Sequence, residues 1–465
     1  MKGFLKKILG FSLGPFAVAL LGIILVPIIT RFISPEEYGK TGMFLVAQGL
    51  ISAIMYMGMD QAFAREFSAA KGSRDDLMVN AMLLPLAISV VLGIGMILLR
   101  DWVSYLLFGN EEEGTAIFLM ALMFPFMVVE QFGFLKLRFE EKGFLYSFFC
   151  ILLKVWTLIL CVVLLVTYQR SFRSVVYGMA LAEILNGIVL AAVSFRNFHP
   201  SRGCIQADRI KSLLKFALPL IPATMISWLL TSMDKVMLRS LCTYDELGLY
   251  TAAAKIVNAL GIIQTCFTTI WMPIAFRWHE EGKARKYFEL VMKLVAAGMS
   301  CICFGILMCK DLVGWFLGED FVRAIGVFPF LMLQPIMYTM SETTTLGIAF
   351  NRKTGYNIVV SLLSGFTNLV LNYFLIPIFG GVGAALATGI SYVVFFAVRT
   401  WISRRLWYKF PVGIFFVCGI MACANCDAHT FMDGVFPYAL SAISVILMIV
   451  IVLPQIIQAI KYIRR

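Results

Sequence analysis

Eleven charged side chains interrupt otherwise apolar sequence: Asp60, Arg65, Glu130, Lys154, Glu183, Asp234, Lys235, Arg239, Lys255, Lys293 and Glu342. A charge in hydrocarbon costs roughly 2.5–3.5 kcal/mol on insertion scales, so it faces a water-filled cavity or a partner. Buried Lys and Arg suit an anion such as a phosphate, held by charge-assisted hydrogen bonds. Buried carboxylates suit the binding and release of a proton or cation. The residues divide accordingly. Lys154, Lys255, Lys235, Arg239 and Arg65 are candidates for an anion-binding cavity. Glu130, Glu183, Glu342, Asp60 and Asp234 are candidates for ion coupling or for ion pairs. Lys154, Glu183 and Lys255 lie about nine residues, or ~14 Å, from the ends of their apolar stretches, too deep to snorkel. Their competing reading is a structural ion pair between helices. For Arg65, Arg239 and Lys293 it is snorkelling to the headgroups. Asp234 and Lys235 are adjacent, so they point to different faces of a helix and cannot both pair with one neighbour.

The elements that must position these residues are membrane helices. Of 465 residues, 60% are hydrophobic and 14% charged. A soluble domain has roughly 45–50% apolar and about 25% charged residues. This composition excludes a soluble enzyme, a disordered chain and a fibrous one. Apolar segments of spanning length fall at 9–29, 42–62, 79–99, 115–137, 145–167, 174–195, 214–238, 247–272, 288–309, 324–347, 355–377, 382–400, 411–427 and 435–457. No stretch between them exceeds about 20 residues, which leaves no room for a soluble domain. The expected fold is an all-α polytopic membrane protein with about fourteen transmembrane helices. With the N-terminus inside, cytoplasmic segments hold 27 of the 39 Lys and Arg and external segments hold 8. That asymmetry follows the positive-inside rule and places both termini in the cytoplasm. It also accounts for the net charge of +12 without nucleic acid as a partner. The N-terminal run resembles a signal peptide but continues to Ile29 without an Ala-x-Ala site, as an uncleaved first helix would.

The halves repeat. Ser34-Pro-Glu-Glu-Tyr-Gly39 matches Thr243-Tyr-Asp-Glu-Leu-Gly248 at an offset of 209. Glu130, with Glu141-Lys-Gly143, matches Glu342, with Lys353-Thr-Gly355, at 212. Gly178-Met-Ala-Leu-Ala182 matches Gly383-Ala-Ala-Leu-Ala387 at 205. Two pseudo-symmetric six-helix lobes are expected, 1–200 and 201–405, with two additional helices in 406–465. An even helix number per repeat puts the pseudo-axis along the membrane normal. Small residues around Gly380–Gly383 and Gly389 mark close helix packing.

Other chemistries find little support. Tyr38-Gly-Lys-Thr41 ends like a phosphate-binding loop, but Ser34 stands where the first glycine belongs. His199, His279 and His429 lie beside no evident nucleophile pattern. Cys423 and Cys426, with His429, have metal-like spacing but no second pair. Neither an enzyme nor a cofactor is expected.

Three motifs carry a family resemblance. They are Arg31-Phe-Ile-Ser-Pro-Glu-Glu-Tyr-Gly39; Asp234-Lys-Val-Met-Leu238 followed by Leu247-Gly-Leu-Tyr-Thr-Ala-Ala-Ala-Lys255; and Ile376-Pro-Ile-Phe-Gly-Gly-Val-Gly-Ala-Ala-Leu-Ala-Thr388. Over about residues 1–400 the chain resembles bacterial polysaccharide flippases of the Wzx type. These belong to the multidrug/oligosaccharidyl-lipid/polysaccharide exporter superfamily. The resemblance implies a transporter in the bacterial cytoplasmic membrane. Its implied substrate is an undecaprenyl-pyrophosphate-linked oligosaccharide, moved from inner to outer leaflet by alternating access. Membrane lipids, and a polysaccharide polymerase complex, are the further partners implied. The first segment carries no charge between Lys7 and Arg31, unlike lipid II flippase relatives, which have cavity arginines there. An ion-coupled multidrug antiporter of the same fold, and a non-transporting scaffold of a glycan-synthesis complex, are the alternatives.

Overall fold

A computed structural model describes the backbone of residues 2–68, 74–195, 199–201 and 203–463, and side chains within 13–454 of these. The regular elements among the described residues are all helical. In lipid, a segment of backbone must satisfy its own hydrogen bonds, which a helix does and an open strand does not. The chain forms two compact units, Met1–Val236 and Met237–Arg465. The first contains α1 (Lys2–Thr30), α2 (Pro35–Tyr56), α3 (Met59–Glu66), α4 (Arg74–Leu98) and α5 (Arg100–Phe108). It continues with α6 (Gly114–Phe139), α7 (Gly143–Thr167), α8 (Phe172–Ser194), α9 (Ala207–Ala217) and most of α10 (Ile221–Leu241). The second contains α11 (Tyr244–Glu280), α12 (Arg285–Met308), α13 (Lys310–Leu317), α14 (Ala324–Leu331) and α15 (Leu333–Thr344). It ends with α16 (Leu346–Phe350), α17 (Gly355–Leu406), α18 (Gly413–Phe431) and α19 (Phe436–Ile463).

In the first unit α7 packs between α1 and α8, and α6 between α4 and α8. The expected span 42–62 is instead a broken helix. α2 and α3 meet at 51° across Met57 and Gly58. Both residues are left-handed, and a side chain on Gly58 (φ 74°) would come within 3.1 Å of the Ala217 carbonyl. That carbonyl belongs to α9, which packs on α3 and α4. The Trp228 indole of α10 donates to the Val46 carbonyl at 3.2 Å. The residues that open the second sequence repeat therefore pack within the first compact unit.

The repeat has a physical basis in its caps. Ser34 accepts from the Glu37 amide at 3.4 Å, and Thr243 from the Glu246 amide at 3.3 Å. Each N-cap hydroxyl satisfies an amide the helix leaves unpaired. The two glutamates then reach 135 residues onward in both units. Glu37 accepts from the Phe172 amide at 2.5 Å, and Glu246 from the Gly381 amide at 2.8 Å. A carboxylate of α2 thus closes the start of α8, and one of α11 closes the second arm of α17. The third sequence anchor is not at matching depth: Gly178 lies six residues past Phe172, and Gly383 two past Gly381.

α17 is 52 residues long and has non-helical geometry at Gly380 (φ 57°, ψ −130°). Ser364 donates to the Ser391 carbonyl at 2.8 Å across this break. In a straight helix those residues would stand ~40 Å apart, so α17 is a hairpin of two antiparallel arms. The Gly380–Gly383 run is the corner, and the helices do pack closely. A Cβ at Gly383 would collide with the Leu375 carbonyl, and one at Gly389 would meet the Phe330 carbonyl at 2.8 Å. Twelve described helices are long and apolar enough to cross a membrane, or thirteen with the bent α2–α3 pair. The chain is a multi-pass membrane protein.

Candidate functional site

The first unit buries a polar cluster where α2, α6, α7 and α8 meet. Glu130 on α6 is 5% exposed and sits against Glu183 on α8, with Asn186 and Lys154 beside them. One Glu130 carboxylate oxygen has no hydrogen-bond partner among the described residues. Gln48 of α2 donates to Glu183 at 3.2 Å. The Tyr56 hydroxyl donates to the Met127 carbonyl at 3.3 Å, close to both glutamates and to Asp60. Asp60 in turn accepts from Gln131 at 3.1 Å. Two facing carboxylates cannot both stay ionised without a proton or cation between them. Lys154 is one such cation near by.

A second set of charges follows α10 and α11. Lys235 lies next to Asp234, and the Arg239 guanidinium sits 4.5 Å over the Tyr244 ring. The buried Nε of Arg239 has no hydrogen-bond partner among the described residues. Lys255 is on an exposed face of α11, about 16 Å from the helix start. The spans Ala207–Leu241 and Tyr244–Glu280 are each only 11% buried, the least of the twelve. Arg65 is elsewhere, at the α3–α9 corner, with its guanidinium 4.5 Å over Phe216 and 3.8 Å from Glu66. Lys154 thus lies in the polar cluster of the first unit, Arg65 at the α3–α9 corner, and Lys235, Arg239 and Lys255 along α10 and α11.

Glu342 is paired. Arg399 on the second arm of α17 donates to it at 2.7 Å and to Ser341 at 2.8 Å. Arg399 escaped the sequence reading because it lies one residue from the end of its apolar segment, where a basic residue reads as a loop charge. Gln48, Tyr56 and Asn186 were missed because uncharged polar residues leave no mark on a hydropathy profile.

The weaker motifs resolve into structure. Tyr38-Gly-Lys-Thr41 is continuous helix, with Lys40 3.0 Å from Glu36 and Thr41 donating to the Glu37 carbonyl at 3.2 Å. Cys426 donates to the Pro329 carbonyl at 3.2 Å, whereas His429 faces Ser441 at 2.9 Å. Ser441 donates onward to Asn425 at 2.7 Å, making a buried polar seam between α18 and α19. The sequence had shown no serine beside His429, because Ser441 belongs to the next helix.

Residues 4–279 match the family described as "Polysaccharide biosynthesis protein". The chain belongs to that family. One relative is the probable low-salt glycan biosynthesis flippase Agl15 of Haloferax volcanii, 22% identical over 40% of each chain. Another is the capsular polysaccharide biosynthesis protein CapF of Staphylococcus aureus, 22% identical over 40% of this chain and 48% of that one. The match spans less than half the length of either curated relative. Among solved structures, the lipid II flippase MurJ in an inward closed conformation aligns with a TM-score of 0.73 at 15% identity. That alignment covers 95% of this chain and 97% of MurJ. An outward-facing multidrug resistance MATE transporter of the MOP superfamily aligns at 0.56 and 17% identity, over 86% and 95%. The family member therefore has the fold of a MOP-superfamily transporter.

Proposed function

We propose that this protein flips an undecaprenyl-pyrophosphate-linked oligosaccharide from the cytoplasmic to the outer leaflet of a bacterial cytoplasmic membrane. The family and the flippase among its relatives support the substrate class. The single observation that carries the reading is the placing of Lys255. It is a deep cation on an exposed face of a membrane helix, on one of the two least buried spans. Such a charge faces a partner or a water-filled space, and a diphosphate is the anion that would enter such a space. Lys235 and Arg239 lie on the helix that precedes it, and Lys154 and Arg65 complete the cationic set. Two lobes rock to give alternating access, fourteen helices cross the membrane, and both termini are cytoplasmic. The polyprenyl tail stays in lipid while the headgroup crosses.

The test is flipping of a fluorescent polyprenyl-diphosphate sugar in vesicles reconstituted with the purified protein. Lys255→Ala is expected to lower the rate at least about tenfold, the effect of losing one charge-assisted contact. Unchanged rates in Lys255→Ala, Lys154→Ala and the double variant would leave no essential role for the cations. A second reading, an ion-coupled antiporter of small molecules, is favoured by the Glu130–Glu183 pair alone. Transport of cationic drugs in the same vesicles separates the two.

A further inference from the structure

The second unit holds an apolar groove of about 870 Å³ between the second arm of α17 and α18, with Met337 and Leu363 in its walls. It opens on outward faces: Trp401 is 53% exposed, Phe416 67% and Ile420 68%. Its walls run from Val393 to Arg404 on one helix and from Val412 to Cys423 on the other. Each wall is twelve residues, or eleven steps, ~16 Å at 1.5 Å per step. Half of a ~30 Å hydrocarbon core is ~15 Å, so the groove is one leaflet deep.

One end of the groove is basic. Arg404 lines it, and the Arg405 guanidinium lies 3.8 Å over the Trp401 ring. Basic residues in a last helical turn complement the helix dipole, which is the ordinary explanation. It does not cover the Nε of Arg404, which is buried and has no hydrogen-bond partner among the described residues. Beside this end lies an aromatic cluster. Trp407 meets Phe350 at 5.0 Å and Phe288 at 5.1 Å, and Arg285 sits 4.7 Å over Tyr408. Trp and Tyr gather at headgroup level. The arginines therefore stand where a lipid phosphate would be, with one leaflet of apolar groove beneath them.

We propose that this groove binds one anionic glycerophospholipid, its phosphate on Arg404 and Arg405 and an acyl chain between α17 and α18. An acyl chain matches the depth, whereas the undecaprenyl tail proposed for the substrate is much longer than one leaflet. The bound lipid ties α18 to the α17 hairpin and makes the protein sensitive to membrane composition.

Native mass spectrometry of the full-length protein tests this, with dioleoyl-phosphatidylglycerol, dioleoyl-phosphatidylcholine and undecaprenyl phosphate as separate probes. The first phosphatidylglycerol is expected to bind about fivefold more tightly than phosphatidylcholine, as one interfacial arginine provides. Arg404→Gln should erase that preference. Gly419→Phe should reduce binding of both phospholipids, since Gly419 lines the groove and open space lies where its side chain would be. Ala397→Phe fills the groove from the opposite wall and serves if Gly419→Phe fails to fold. Equal binding of the two phospholipids overturns the proposal, as does unaltered binding in the filled variants. Preference for undecaprenyl phosphate also overturns it and makes the groove a site for the substrate tail.

Discussion

Glu130 and Glu342 occupy matching places in the sequence repeat and live in opposite surroundings. Glu342 has Arg399 at 2.7 Å, with both side chains almost buried. Removing one partner of such a pair strands the other charge, at a cost of about 3–5 kcal/mol. Glu342→Gln is expected to lose that much stability, and Glu342→Met with Arg399→Met to recover most of it. Thermal unfolding in detergent micelles would decide, and an unshifted midpoint for Glu342→Gln would show the pair to be idle. Glu130 faces Glu183 with Lys154 near by, so neutralising Glu130 relieves repulsion and still leaves Lys154 a carboxylate. Glu130→Gln should unfold within about 1 kcal/mol of the parent, as a substitution that strands no charge. Its effect belongs to transport. Uptake into sealed vesicles should quicken with an imposed proton or sodium gradient, and Glu130→Gln and Glu183→Gln should flatten that response. A rate that follows only the lipid-linked sugar gradient, unaltered in both variants, would make the pair structural. Composition and depth marked both glutamates as unusual. Only the fold showed that Glu342 meets an arginine and Glu130 a second glutamate, because each partner came from another helix.

At the scale of elements, the caps repeat more faithfully than the helix interiors. Glu37 and Glu246 each close the start of a helix 135 residues away. A hydrogen bond to a charged group is worth about 1.5–3 kcal/mol, and Glu37→Ala and Glu246→Ala should each lose a comparable amount. Gly380→Ala should cost more than about 1 kcal/mol, because its φ is 57° and its Cβ would stand 2.5 Å from Glu246. Glu246 shares that contact, so Gly380→Ala and Glu246→Ala should not add. A Gly380→Ala protein as stable as its parent would remove the hairpin corner as a constraint. The Ser-Pro-Glu-Glu-Tyr-Gly motif was readable as a repeat, but its role was not. A capping carboxylate and the amide it serves are far apart in sequence and meet only when the helices pack.

For the whole molecule, the count of crossings is the testable property. Twelve or thirteen helices qualify by length and composition, and the α17 hairpin supplies two arms where one helix is counted. Fourteen crossings with both termini inside are the expectation. Cysteines placed in the Ser34, Gly109 and Gly380 turns should react with an impermeant thiol reagent from outside the cell, in a background whose eleven native cysteines are replaced. Cysteines in the Gly282 and Lys409 turns should not. A Gly380 site protected from outside would remove one crossing and invert the C-terminus.

The sequence by itself determined the class of molecule: a polytopic helical membrane protein with a doubled cap motif and charges within its apolar segments. Those features follow from local composition, because hydrocarbon accepts only helices that satisfy their own backbone and rejects unpartnered charge. The tertiary structure decided what depends on packing. It broke the second span at Met57 and Gly58 under the Ala217 carbonyl, and folded residues 355–406 back on themselves at Gly380. It packed α9 and Trp228 in the first compact unit, although the repeat begins the second lobe there. It gave Glu342 its arginine and left Glu130 facing Glu183. Each of these rests on a contact between residues distant in sequence, and hydropathy, which sums over neighbours along the chain, carries no record of such contacts.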